Sequence, residues 1–330
     1  MKKINLFLDS GAYSAWSKGV TIDIDEYISF IKKNIKYITV YANLDVIGDP
    51  EATYRNQKYM ESKGLRPLPV FHSTLEPYSW LKKYIDEEYE YIGLGGMAGG
   101  SISKKDIVPI LDEVFEKYIC DKDGMPKVKV HGFGMTSLEL LLKYPWYSVD
   151  STSWVMTGRF GSVMVPRFRN GKYVYDEQPW KVTVSLKSPD IKEQDKHILT
   201  YTEMERKVIM EYFKKKGYVL GKSEYRSVDR DYKLKEGERW FGKEEADSQR
   251  SIYGTDNREG YVRDGWSDDR LVETIIEPGI CNDYKLRDEL NIAYYLDLQE
   301  SLPKWPWSFK KESLQKKFGL RKRSIPVQEK

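Results

Sequence analysis

Through the first 150 residues, apolar positions gather into short runs that alternate with segments of helical period. The runs are INLFL, YITVYANL, PLPVFH, YIGLGG, VKVHGFG and WYSVD, each of which reads as a short buried strand. Between them lie DIDEYISFIKKNI, DPEATYRNQKYMESKG, LEPYSWLKKYIDEE, KKDIVPILDEVFEKYI and SLELLLKYP. There the apolar residues recur at three- and four-residue steps, as at Ile107, Ile110, Leu111, Val114, Phe115 and Ile119. Asp49 with Pro50, and Ser137 with Glu139, have the chemistry of helix starts. This alternation means repeated βα units, wound as an open sheet or closed as a barrel. The first strand-to-helix turn lacks G-x-G-x-x-G, which disfavours a dinucleotide-binding sheet. Polar residues cluster at the strand ends, the face on which a barrel builds its site. The expected fold is therefore α/β, a (β/α)8 TIM barrel with a charged subdomain.

After Asp150 the rhythm changes. SVMVPRF and KVTVSL are expected as the last two strands, and residues 201–218 as an amphipathic helix. Residues 219–270 are charged, dotted with glycine and poor in periodicity, which suggests an inserted loop region or small subdomain rather than a second core. A DNA-binding loop and a disordered insertion are the two readings of that stretch. Residues 289–302 predict a final helix. The expected organisation is a barrel core over 1–200 carrying the site, a helix with a charged insertion over 201–280, and a C-terminal helix with a basic tail over 281–330.

Composition narrows the setting. Hydrophobic residues make up 40% of the 330, enough for a sizeable core. Aromatics reach 14%, which suits flat ligands and ordinary packing equally. Cys120 and Cys281 are the two cysteines, too few for a disulfide framework or a Cys-rich zinc site, and a reducing cytoplasm is expected. No window has the length of a membrane span, and the N-terminal apolar run is too short for a signal peptide. The net charge of +3 is uneven, with the tail from Lys304 strongly basic. That tail reads as a polyanion contact or as a solvated end.

The candidate chemistry stands at the strand tips. Asp9 ends the first strand, Asn43 to Asp45 the second, His72 the third, GLGGMAGG the fourth, His131 with GFG the fifth, and Asp150 the sixth. Each carboxylate has a structural alternative: Asp9 capping a turn, Asp45 capping a helix, Asp150 accepting backbone donors. Three acids at one edge are harder to explain as packing, because burying acids unpaired costs several kcal/mol, roughly. The missing Cβ atoms of Gly93, Gly95, Gly96, Gly99 and Gly100 suit close approach of a flat molecule, or a flexible loop. His131 reads as a site residue or a satisfied loop histidine, and His197 as a surface residue. No third ligand supports a metal pair with the histidines, and no metal or cofactor is expected.

This ordered set resembles the tRNA-guanine transglycosylases. DSGAY is similar to their DSGG[FY] strand end, GLGGMAGG to their GGLAxG loop, and HGFGMTSLELLLKYPWYSVDSTSW to the stretch that supplies their nucleophile. The likeness covers residues 4–154. It implies a (β/α)8 barrel that exchanges guanine for a 7-deazaguanine on a nucleic acid. By this resemblance Asp150 is the nucleophile and Asp9 handles the proton. Tyr13 stacks on the base, Asp45 reads its edge, and Gly95, Gly96 and Met97 contact it. His72 stands where the tRNA enzymes have glutamine, and with His131 it is expected at the base. The family's zinc site uses three cysteines and a histidine near the C-terminus, where this chain has Cys281 alone. That departure points to the zinc-lacking DpdA-type DNA transglycosylases found in phages and bacterial islands, with DNA and a 7-deazaguanine base (preQ0- or preQ1-like) as partners. Arg159, Arg167, Arg169 and the Lys304–Arg323 stretch would then meet phosphates. The alternatives are a tRNA enzyme and an idle barrel that binds a nucleobase or nucleic acid.

Overall fold

The computed structural model describes residues 5–97, 104–135, 137–185, 197–229, 231–240 and 271–309. The chain is a mixed α/β protein with two compact units, Met1–Ser151 together with Pro303–Lys330, and Thr152–Leu302. The boundary lies at residue 151 rather than near 200.

In the first unit, β1 (Leu6–Leu8), β2 (Ile38–Tyr41), β3 (Val70–His72), β4 (Tyr91–Gly95), β5 (Lys129–Gly132) and β6 (Ser148–Val149) form parallel pairs. β1 pairs with β2, and β3 to β6 form a sheet in chain order. A parallel bridge from Ala42 to Leu68 joins the two sets. Spatial order therefore follows sequence order, with no reversal of the kind that marks a doubly wound sheet. The sheet also curls. Phe7 on β1 stacks on His131 on β5 with ring centroids 4.2 Å apart. In a flat sheet four strand spacings would hold β1 and β5 about 19 Å apart.

Two of the connecting helices begin at aspartate caps, whereas Ser137 starts the helix Leu138–Lys143 without a side-chain cap bond. Asp23 caps α2 (Ile24–Asn34) by accepting from the N–H groups of Asp25 and Glu26. Asp25 and Glu26 at its start and Lys32 and Lys33 at its end suit the helix dipole. Asp49 caps α3 (Pro50–Ser62), whose first residue is proline. Tyr27, Ile28 and Ile31 of α2 pack with Tyr41, Leu44 and Met60 to form one core cluster. α4 (Tyr78–Asp86) and α5 (Lys104–Val114) follow β3 and β4. α5 runs into a π-helical turn at Phe115–Ile119, where the fully buried Phe115 meets Tyr144, Trp146 and Phe309. The chain end thus returns to the first unit, and the Phe309 N–H donates to Gly124 O across 2.7 Å. Of the basic tail expected from Lys304, the part from residue 310 onward lies outside the described residues.

The second unit has its own core, built from residues on either side of the charged 219–270 stretch. Val163, Val165, Val182, Ile209, Phe213 and Leu290 are buried together. The runs expected as the last two barrel strands, β7 (Ser162–Val165) and β10 (Trp180–Thr183), pair antiparallel with each other. Between them lies the hairpin of β8 (Arg167–Arg169) and β9 (Lys172–Val174), turned by Asn170 and Gly171 at positive φ. A hairpin allows antiparallel return, whereas parallel strands need a crossover. β11 (Lys222–Ser227) and β12 (Glu238–Trp240) flank β13 (Leu271–Glu277) in an antiparallel sheet. The part of the expected DNA-binding loop over 241–270 lies outside the described residues. The final helix, Tyr284–Ser301, buries Arg287 completely. That guanidinium donates to the carbonyls of Gly158 and Ile280, so its charge is met by backbone acceptors. Among the described residues no helix is long and apolar enough to cross a membrane.

Candidate active site

Because the first six strands are parallel and sequential, their C-terminal ends share one edge, and the strand-end residues assemble there. Asp9 follows β1, Asp45 follows β2, and Asp150 follows β6. Asp9 is open to solvent yet surrounded by protein on most sides. Burial raises its carboxyl above the usual range, and the charges of Asp45 and Asp150 push the same way. The N–H groups of Ser10 and Gly11 oppose them. Asp9 is thus close enough to both other acids to sense their charge.

Asp45 is not a helix cap, since Asp49 takes that role. Its two oxygens are held separately: Ser10 Oγ donates to Oδ1 at 3.0 Å, and His72 Nε2 stands 3.1 Å from Oδ2. His72 Nδ1 lies 2.6 Å from Glu76 Oε1, and all three ionisable side chains are largely buried. Burial alone would lower the His72 pKa. Hydrogen bonds to Asp45 and Glu76, reinforced by their charges, overcome it and push it up to about 9. His72 therefore sits as a cation clamped by two anions, with both ring nitrogens committed. It orients Asp45 and offers no ring nitrogen to a base.

Asp150 is half-exposed, with its Oδ1 accepting the Gly134 N–H at 2.7 Å. His131 Nε2 lies 3.8 Å from the same oxygen. Burial works to raise the Asp150 pKa, but His131 and the Gly134 N–H outweigh it and bring it below the usual carboxylate range. His131 is buried, stacked on Phe7 and met edge-on by Phe133. Its Nδ1 is 2.5 Å from Ser148 Oγ, and Ser148 Oγ is bonded in turn to Tyr91 OH. Like His72, it packs against its neighbours instead of presenting a face to a ligand.

The glycine segment serves the histidine next door. A Cβ on Gly95 would lie 2.8 Å from His72 Cδ2, so the missing side chain makes room for the clamped ring. Ser73 N–H donates to Gly95 O, and Thr74 Oγ1 to Gly96 O at 2.7 Å. Met97 is half-buried beside them, and Gly99 and Gly100 lie outside the described residues. After β1, Gly11 takes φ 76° to turn the chain into α1 (Ala12–Ser17). That helix presents Tyr13 and Trp16, 47% and 60% exposed, with ring centroids 6.0 Å apart.

The arginines expected at phosphates belong to the second unit. Arg159 Nε lies 3.5 Å from Asp288 Oδ2, and its guanidinium stacks on Tyr284. Arg167 stacks on Trp180 and donates to Gln178 O. Arg169 is exposed and forks onto Glu177. His197 is buried, not a surface residue; its Nδ1 accepts the Leu199 N–H, and burial lowers its pKa. Among the described residues no His, Cys, Asp and Glu cluster is arranged to hold a metal ion.

Ser10, legible as part of the turn after Asp9, proves to be a partner of Asp45, while Glu76, Ser148 and Tyr91 carry no sequence signal that ties them to the site. No protein-family model, curated protein or solved structure matches the chain.

Proposed function

We propose that this chain is a base-exchanging transglycosylase that replaces guanine in DNA with a 7-deazaguanine through a covalent glycosyl-aspartate. The observation that carries the reading is the contrast between Asp9 and Asp150. Two acids within electrostatic reach are pushed in opposite directions, Asp9 up and Asp150 down. Acids driven apart in this way suit different roles in one reaction. The ionised Asp150 attacks C1′, the C1′–N bond breaks, and its electron pair leaves on guanine, which takes a proton from Asp9. The incoming base gives its ring N–H proton to Asp9, its nitrogen attacks C1′, and Asp150 is released. Asp45 accepts from the N1–H and 2-amino edge with the lone pairs that Ser10 and His72 leave unused. Tyr13 gives the base an exposed face to lie on.

The sequential strand order and the Phe7–His131 stack support a (β/α)8 barrel as the frame. DNA is favoured over tRNA because two cysteines cannot build the three-cysteine zinc site of the tRNA enzymes. A cytoplasmic setting goes with that substrate. The base is reached only after it leaves the helical stack. Arg167 and Arg169 are the half-buried and exposed cations assigned to phosphates. The test is to quench the protein with guanine-containing DNA in the absence of a second base and measure intact mass. An adduct of the DNA strand that maps to Asp150 and is missing from Asp150→Ala supports the reading. An adduct elsewhere, or none, counts against it.

A further inference from the structure

Tyr91, Ser148 and His131 form a hydrogen-bonded line whose far end, His131 Nε2, points toward Asp150 Oδ1 at 3.8 Å. Among the described residues His131 Nε2 is buried without a hydrogen-bond partner. For an imidazole carrying one proton the line has two polarities. In one, Tyr91 donates to Ser148, Ser148 donates to His131 Nδ1, and the ring proton sits on Nε2, facing the carboxylate. In the other, Nδ1–H donates to Ser148, Ser148 donates to Tyr91, and a lone pair on Nε2 faces an anionic oxygen. The second arrangement sets like partial charges against each other in a buried place and gives the phenol hydrogen no place in the line. The first gives every donor an acceptor.

We infer that Tyr91 and Ser148 are positioning residues that hold His131 as the Nε2–H tautomer, so that His131 and the Gly134 N–H both hold Asp150 Oδ1 and reserve Oδ2 for the bond to C1′. The inference rests on the transglycosylase reading for the bond it assigns to Oδ2, but not for the tautomer. Phe7 stacked on the ring and Phe133 at its edge fix the ring plane, so the direction of Nε2 is set by packing. A separation of 3.8 Å exceeds a hydrogen bond in the resting protein. Catalytic contacts of this kind are often long without substrate and tighten in the complex. When Oδ2 bonds to C1′, Oδ1 becomes the ester carbonyl oxygen. The two N–H groups then favour the carboxylate as it departs in the second half-reaction. No proton moves along the line in either step.

The first readout needs no activity. Long-range 1H–15N NMR of the full chain with labelled histidine reports which nitrogen of each of its 3 histidines is protonated. The His131 signals are assigned by their loss in His131→Gln. Nε2 protonated with Nδ1 as acceptor is expected, and a proton on Nδ1 in the wild type would overturn the inference. Ser148→Ala should admit the other tautomer. It should also slow formation of the covalent adduct by about tenfold or more with little change in KM for DNA. His131→Gln, whose amide can still donate to Oδ1, should keep more of the rate than His131→Asn. An unchanged adduct rate in Ser148→Ala counts against the positioning role. If the wild type shows Nε2–H but forms no adduct, the line stands and the transglycosylase reading fails.

Discussion

Asp45 Oδ2 and His72 Nε2 are 3.1 Å apart inside the strand-end cluster, and Glu76 holds the opposite nitrogen of the same ring at 2.6 Å. A residue expected to touch the base is instead the support of a neighbouring carboxylate. The same ring accounts for Gly95, whose absent Cβ leaves it space.

The clamp predicts a pH dependence of stability. His72 titrates near 9 in the folded chain against an ordinary 6.5. Its contribution is therefore complete below about pH 6.5 and is lost as pH rises through about 9. Urea unfolding of wild type and His72→Gln from pH 6 to 10 should show a difference that shrinks by about 3 kcal/mol across this window. A difference independent of pH would contradict a charged His72.

Asp9 and Asp150 should respond oppositely to neutralisation. The raised pKa of Asp9 means that its ionised form costs stability above the unfolded value of 3.8. The lowered pKa of Asp150 means that its ionised form adds stability there, which is lost as pH falls. At pH 7, Asp9→Asn should raise the thermal midpoint and Asp150→Asn should lower it, each by about 1–3 °C. Shifts of the same sign would remove the electrostatic contrast on which the role assignment rests.

Gly95→Ala sets a methyl group against a ring that cannot swing aside, because both of its nitrogens are bound. A loss of about 1–3 kcal/mol is expected in chemical denaturation. The same substitution in a His72→Ala background should cost far less, since the ring is gone. Equal losses in both backgrounds would refute the packing explanation.

Local chemistry was readable from the chain, and non-local pairing was not. Asp49 and Pro50 announced α3 because capping involves adjacent residues. The strand runs announced six parallel strands because each is a short apolar segment between helical ones. The hairpin turned by Asn170 and Gly171 separates β7 from β10 and makes their antiparallel pairing intelligible only once the structure is seen. Ser148 could not be matched to His131 in advance, because they are brought together by the β5–β6 register. β11 alternates half-buried and exposed positions under a covering of charge, so its strand character was masked. Asp9, Asp45 and Asp150 were found by position at strand ends. Which of them would be clamped, raised or lowered depended on neighbours distant in the chain, such as Ser10 for Asp45, Gly134 for Asp150, and Asp45 and Asp150 for Asp9.

The most direct test of the central claim is base exchange itself. The protein is incubated with duplex DNA, or separately with tRNA, and a free 7-deazaguanine such as preQ0 or preQ1. The polymer is then digested to nucleosides for mass spectrometry, with Asp150→Ala in parallel. The account predicts a 7-deazaguanine deoxynucleoside from DNA that is absent with the variant. Incorporation into tRNA alone would contradict the choice of DNA, and incorporation into neither polymer would contradict the enzyme.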